Sequence, residues 1–211
     1  MKGVDVLITE GVTVSFADVD ILSLTKPEEP ERSEEWLQDT IRKESTEQKG
    51  LDCSGFVGWS VYQIMQSRSG GPMYTDVSGN LGSLYSGKGM GTIVSQSQLA
   101  SSNWKLYPGD IGYNSGHTWI VLGQCPDKSA VIVHSTPQAG CQIAGTCTPD
   151  GDYDSQAIAL AKTYMSKYKG FTKYNYHTSC GNYIRRGNYL RWNSTLSDPE
   201  RFKSKTADVI L

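Results

Sequence analysis

Two short apolar segments, one preceded by a histidine and the other ending in one, are separated by a turn-rich loop and constrain the fold of this 211-residue chain most strongly. A loop through His117 leads into the first segment, Thr118–Leu122, and the second is Ala130–His134. Residues 123–128 between them contain glycine, proline and aspartate, a composition typical of turns. We predict an antiparallel hairpin centred on this loop. Its register sets His117 directly opposite His134, with both side chains on one face.

A helix is predicted to begin at Cys53. Apolar residues recur at positions 57, 61, 64 and 65, the spacing of a buried helical face, and the run stops at Ser69–Pro72. A thiol in the first helical turn lies near unpaired backbone N–H groups and the positive end of the helix dipole, which lower its pKa. The position favours a cysteine nucleophile, and a small buried structural cysteine is the alternative.

A cysteine with two paired histidines supplies the parts of an activated thiol: a nucleophile, a base and a group that orients the base. The same three residue types also bind zinc. The chain lacks the Cys-x-x-Cys and His-Glu-x-x-His spacings that favour zinc, and the glycines of residues 87–91 lack the strand-turn-helix context of a phosphate loop. We therefore predict neither a metal nor a cofactor.

Three motifs occur in this order: Asp52–Val57, then Pro108–Ile111 leading to Gly116 and His117, then Val133–Ser135. Together they resemble the NlpC family of cell-wall cysteine peptidases. The resemblance covers roughly residues 35–192. It implies an α+β, papain-like fold in which the nucleophile helix packs on an antiparallel β-sheet that carries the two histidines.

The resemblance also implies an activity, the hydrolysis of peptidoglycan stem peptides, typically at the bond between γ-D-glutamate and a diamino acid. By motif, Cys53 is the nucleophile, His117 the general base and later acid, and His134 the orienting residue. Asp52 and Ser54 match positions that help to hold the free amino end of the L-Ala-γ-D-Glu portion. Stem peptides are thus the expected partner.

Trp119 stands where the family usually has glycine. Strand alternation places its side chain on the face of His117, where we predict a wall of the substrate cleft, with an ordinary core position as the alternative.

Two other functions remain open. A CHAP-type amidase or transacylase on the same scaffold usually has Asn, Asp or Glu as its third residue, whereas this chain has His134. A catalytically silent wall-binding or toxin-accessory module predicts an unreactive Cys53.

Composition bounds the remaining expectations. A net charge of −2 gives no electrostatic reason to expect nucleic acid as a partner, and no apolar run reaches the length of a membrane helix. Asp5 and Glu10 interrupt the apolar start, so no signal peptide is recognised. We expect a monomer that acts outside the cell, at the cell wall. The predicted organisation is a β-rich extension with a charged linker at 1–30, the peptidase domain at 31–193 and a polar C-terminal tail at 194–211.

Four cysteines remain beside Cys53, and we expect at least one disulfide among them, with three possible pairings: Cys125, Cys141, Cys147 and Cys180. Outside the motifs, the pattern predicts a long loop over residues 74–104 and a helix from Ser155 to Gly170. It also predicts closing strands at 183–185 and 189–192.

Overall fold

The structure, a computed structural model, describes residues 52–65, 74–137, 140–167 and 179–211. These residues form one mixed sheet of seven strands with helices packed on it, which confirms the predicted α+β class. The strands are β1 Gly91–Val94, β2 Ile111–Tyr113, β3 Thr118–Gln124, β4 Ala130–Thr136, β5 Gly140–Thr146, β6 Ser179–Cys180 and β7 Asn188–Trp192. Their order in the sheet is β1-β7-β2-β3-β4-β5-β6, and every pair is antiparallel except β5 with β6.

Helices connect these strands and cover the sheet. They are α1 Cys53–Met65, α2 Leu81–Gly87, α3 Gln96–Ser101, α4 Gln156–Met165, α5 Tyr183–Arg186 and α6 Ala207–Ile210, with 3₁₀ turns at Ser78–Asn80 and Phe202–Ser204. The start of α4 is as predicted, because the Ser155 hydroxyl accepts the backbone N–H of Ile158 at 3.2 Å. Its predicted extension to Gly170 reaches residues that lie outside the described ranges.

The predicted loop over residues 74–104 is wrong, because α2, β1 and α3 all lie within it. The start of α3 shows the reason. Ser95 and Gln98 form a reciprocal capping box, in which each side chain accepts the backbone N–H of the other residue. Serine and glycine in this stretch therefore mark the ends of short elements. The predicted strand at 183–185 is also wrong, since Tyr183–Arg186 is helical, whereas the predicted strand at 189–192 is confirmed as part of β7.

The hairpin of β3 and β4 is confirmed, but its predicted register is not. Ile120 pairs with Val133, so continuing the register by one residue sets His134 opposite Trp119. His117 lies two residues further along, in a diagonal position that keeps its side chain on the same face. The loop is centred on Asp127, and a one-residue irregularity between Val121 and Gly123 shifts the pairing.

The two faces of this hairpin bury different cores. Helix α1 contributes Phe56, Val57 and Val61 to a core that includes Val133 and Ile120. The other core contains Trp119, Val121, Ile132, Leu99 of α3 and Ile184 of α5. Helix α1 therefore packs on β3 and β4, as predicted, against the face that carries Val133 and Ile120.

The C-terminal residues 194–211 are folded against the domain, which corrects the expectation of a peripheral polar tail. Leu196 and Ala207 are buried, and α6 packs on β3. The backbone of Ala207 approaches Gly123 so closely that a Cβ there would lie 2.8 Å from the Ala207 Cα. The predicted extension at 1–30 and the start of the predicted peptidase domain lie outside the described residues.

All five cysteines are free thiols, so the predicted disulfide is not present. Cys147 and Cys180 lie on adjoining segments, where the Cys147 backbone N–H donates to the Cys180 carbonyl at 3.1 Å. Burial raises the pKa of Cys141 and Cys180 to about 12 each, which keeps both as neutral thiols.

A buried ion pair joins the turn before β2 to β7. The Asp110 side chain is 1% exposed, accepts the Tyr107 backbone N–H at 3.0 Å and pairs with Arg191 at 2.8 Å. Arg191 also donates to the Lys105 carbonyl at 2.8 Å. This arrangement fixes the Pro108–Ile111 motif, from which the chain enters β2 and then the loop that carries His117.

Replacing Asp110 with alanine is expected to lower the free energy of unfolding by about 2 kcal/mol, since the partly exposed Arg191 and the Tyr107 N–H then lose their carboxylate acceptor. The matched control is Asp150→Ala, which removes a 92% exposed carboxylate from its ion pair with Arg185 and should cost less than about 0.5 kcal/mol. Urea unfolding of both variants measures the difference. Equal midpoints would show that the buried pair does not stabilise the fold.

Candidate active site

Cys53 is the first residue of α1, and Asp52 caps this helix. The Asp52 carboxylate accepts the Gly55 backbone N–H at 2.5 Å and the Ser54 hydroxyl at 3.2 Å. Two of the residues predicted to bind substrate thus have a local task, which is to start the helix that presents the thiol. Asp52 is exposed and its charge lies beside the thiol, whereas Ser54 is buried.

Burial decides the protonation state of Cys53. It raises the pKa of the thiol above its ordinary 9.0, and the backbone N–H of Thr118 is the largest opposing influence. The charge of Asp52 raises the pKa further, and the backbone N–H groups of Ser54 and Cys53 lower it. The expectation that the helix start lowers this pKa is therefore wrong, because the loss of hydration outweighs the contribution of the N–H groups.

The two predicted histidines lie in direct contact. His117 Nε2 is 2.8 Å from His134 Nδ1, and the ring centroids are 5.0 Å apart at an interplanar angle of 75°. His134 is 3% exposed, whereas His117 is only partly buried. One ring is thus held inside the protein and supports a second ring that reaches towards solvent.

Local turn chemistry and an aromatic stack hold His117 in place. The Asn114 side-chain oxygen accepts the backbone N–H groups of Gly116 and His117, each at 2.9 Å. The His117 ring stacks on Trp119 with centroids 6.0 Å apart, and Tyr183 lies 5.6 Å away. Both the backbone and the ring of His117 are therefore positioned before any ligand binds.

Trp119 is 0% exposed, which corrects its prediction as a wall of the substrate cleft. Its ring stacks on Tyr183 at 4.3 Å and fills the space that a side chain at Gly112 would occupy. A fully buried indole supports His117 from inside the core and does not contact substrate. The alternative of an ordinary core position is the one that the structure favours.

Burial lowers the pKa of His117 to about 4, and the charge of Asp52 opposes this shift. The imidazole is therefore neutral at pH 7, the state that a general base requires. No hydrogen bond joins its ring to Cys53 Sγ among the described residues, since His117 Nε2 contacts His134 and the thiol lies against Thr118 N–H. Such contacts often form only when substrate closes the site.

Labelling of Cys53 by iodoacetamide should therefore be slow at pH 7 and rise steeply towards pH 9 and above, because burial raises the pKa of the thiol and keeps it protonated near neutral pH. Mass spectrometry of the Cys53 peptide measures the rate. Cys53→Ala protein gives the background from the other thiols. A flat rate between pH 5 and pH 8 would instead show a thiolate paired with an imidazolium.

The sequence did not predict three further residues that lie at this site: Gln142, Cys180 and Tyr183. Gln142 pairs with His134 across β4 and β5, and its Nε2 is 3.5 Å from His134 Nε2. Cys180 Sγ is 3.8 Å from the same nitrogen. The ring of Tyr183 lies beside both histidines. Strand alternation would have indicated Gln142 had the register of β5 been known.

The described residues include no group of three or more His, Cys, Asp or Glu side chains that could hold a metal ion. Within the same residues, no helix combines the length and apolar character needed to cross a membrane.

Comparison with protein-family models, with curated proteins and with solved structures finds no match to this chain. The site itself must therefore carry any functional assignment.

Proposed function

We propose that the protein is a cysteine endopeptidase that cleaves peptidoglycan stem peptides, typically at the bond between γ-D-glutamate and a diamino acid. The 2.8 Å contact between His117 Nε2 and His134 Nδ1 carries this proposal, because it supplies a base together with its orienting partner. The Cys53 thiol at a helix start, next to the strand that follows His117, supplies the nucleophile. A papain-like arrangement of helix and sheet is part of the proposal.

In the proposed reaction, neutral His117 removes the thiol proton as sulfur attacks the amide carbonyl, so that a C–S bond forms and the carbonyl oxygen becomes an oxyanion. His117 Nδ1 and Cys53 Sγ must come within hydrogen-bond distance for this step. The backbone N–H of Cys53 at the helix start is the first candidate donor to the oxyanion.

Collapse of this intermediate breaks the C–N bond, and His117 returns the proton to the leaving amine. Water then attacks the thioester with His117 again as base, which releases the acyl product and restores the thiol. His134 accepts the His117 Nε2–H throughout and stabilises the imidazolium that forms transiently.

The exposed Asp52 carboxylate supports the choice of substrate. A negative charge beside the nucleophile attracts the free α-ammonium group of an L-Ala-γ-D-Glu peptide. Action outside the cell, as a monomer, completes the proposal. His134 as the third residue favours a peptidase over the amidase and transacylase class.

The experiment incubates the protein with L-Ala-γ-D-Glu-meso-diaminopimelate and L-Ala-γ-D-Glu-L-Lys peptides and looks for the released L-Ala-γ-D-Glu dipeptide by mass spectrometry. N-acetylated versions of both peptides test whether the ammonium group is needed. A muramoyl-L-Ala-γ-D-Glu-meso-diaminopimelate substrate tests the amidase alternative, because cleavage between muramic acid and L-Ala, with release of the intact stem peptide, would indicate an amidase instead. Folded wild-type protein that leaves every stem peptide intact would contradict the proposed substrate.

A further inference from the structure

The far nitrogen of His134 contacts two polar groups inside the protein. His134 Nδ1 faces His117, whereas His134 Nε2 lies 3.5 Å from the Gln142 side-chain amide and 3.8 Å from Cys180 Sγ. Gln142 is 3% exposed and Cys180 is 5% exposed. Because this nitrogen is buried, its hydrogen-bond partner has to be a group of the protein, whether the nitrogen carries a proton and donates it or has a lone pair and accepts.

The position of a single proton on His134 decides what His117 can do. If His117 is to present a lone pair at Nδ1, its own proton must lie on Nε2 and be donated to His134 Nδ1. Neutral His134 must then carry its proton on Nε2. In the other tautomer His134 Nδ1–H donates to His117 Nε2, which moves the His117 proton to Nδ1 and leaves no base.

A hydrogen-bond acceptor at His134 Nε2 selects between these two tautomers. In the structure the Gln142 amide nitrogen, a donor, is the atom that faces His134 Nε2. The acceptor oxygen takes that place when the amide turns by half a rotation, an exchange of two nearly identical atoms. With the oxygen towards His134, the amide accepts the Nε2–H and stabilises the tautomer that makes His117 a base. Cys180 sulfur is a weaker acceptor on the same side.

We propose that Gln142 is a positioning residue whose side-chain oxygen accepts the His134 Nε2–H and thereby holds His117 in the tautomer of a general base. The backbone pairing of His134 with Gln142 on β4 and β5 fixes the two side chains opposite each other. The inference rests on the proposed function for the role of His117, but the tautomer itself is measurable without any substrate.

The experiment records the imidazole ¹⁵N shifts of His-labelled protein at pH 7. In wild type, Nε2 of His134 and Nε2 of His117 should both be protonated. Leucine has a volume similar to glutamine and offers no acceptor, so in Gln142→Leu the His134 proton should distribute over both ring nitrogens. The kcat of this variant should fall about fivefold to tenfold with little change in KM, a loss that corresponds to one neutral hydrogen bond. Gln142→Glu retains an acceptor and should retain the wild-type tautomer.

Gln124→Leu is the matched control, because Gln124 lies at the far end of β3, where its amide donates to Trp104 and Lys128 carbonyls. It should leave the histidine shifts unchanged. A wild-type spectrum with His134 protonated on Nδ1 overturns the proposal without any variant, as does an unchanged tautomer in folded Gln142→Leu. If Gln142→Leu does not fold, the proposal is overturned when His134 in the Gln142→Glu variant adopts a tautomer different from that in wild type. A changed tautomer in a protein that cleaves no stem peptide would reject the proposed function alone.

Discussion

Replacing Cys53 with alanine should abolish cleavage of stem peptides, with a fall in kcat/KM of at least about ten-thousand-fold. In the proposed mechanism the Cys53 sulfur receives the acyl group, so the variant lacks the atom that the first step requires. Cys180, a second thiol beside His134, is buried and remains protonated. Peptide cleavage followed by mass spectrometry gives the ratio.

Cys125→Ala is the matched control for this variant. Cys125 directly follows β3, at the end of the strand opposite His117, and its burial among other side chains gives it no access to the site. Its activity should stay within about twofold of wild type, since the change lies remote from the histidines. Residual activity above about one percent in folded Cys53→Ala would remove Cys53 as the nucleophile.

Replacing His117 with alanine should lower kcat/KM at pH 7 by about a thousandfold, within the range for loss of a general base. The reason is specific to this site, because burial holds the pKa of Cys53 above the ordinary thiol value and leaves little thiolate to act alone. The wild-type rate should fall only as pH drops towards 4, where His117 gains a proton. Steady-state rates across pH measure both effects.

The pH profile of the His117→Ala variant is the sharper part of this test. Its rate should continue to rise with pH above 9 as thiolate forms without a base, while the wild-type rate is flat from about pH 5. Circular dichroism verifies that the variant is folded. A variant whose profile parallels that of wild type, at a tenth of its rate or more, would show that another group takes the proton.

Residue alternation allowed the histidine pair to be predicted, but not its register. The hairpin, the shared face and the helix start at Cys53 all follow from local patterns of apolar and turn residues. The exact pairing depends on the five-residue loop closed by the Cys125 N–H to Ser129 carbonyl hydrogen bond and on the irregularity at Val121. Neither feature leaves a periodic signal in the sequence.

The other features that the sequence did not predict depend on contacts between segments that are distant along the chain. Gln142, Cys180 and Tyr183 reach His134 from β5, β6 and α5, and only the sheet order brings these elements together. The Cys53 thiol illustrates a second limit. Its helix position argued for a low pKa, but the opposing burial depends on tertiary packing that local sequence does not encode.

The irregularity in β3 has a consequence for how the length of this hairpin can change. In the register that Gln124 and Ala130 set beside the loop, His134 would lie opposite Ile120, and His117 would project from the other face. The extra residue restores a common face. An insertion or deletion within β3 or β4 therefore keeps the two histidines on one face only when it comes as a pair of residues, or singly when a bulge is gained or lost with it.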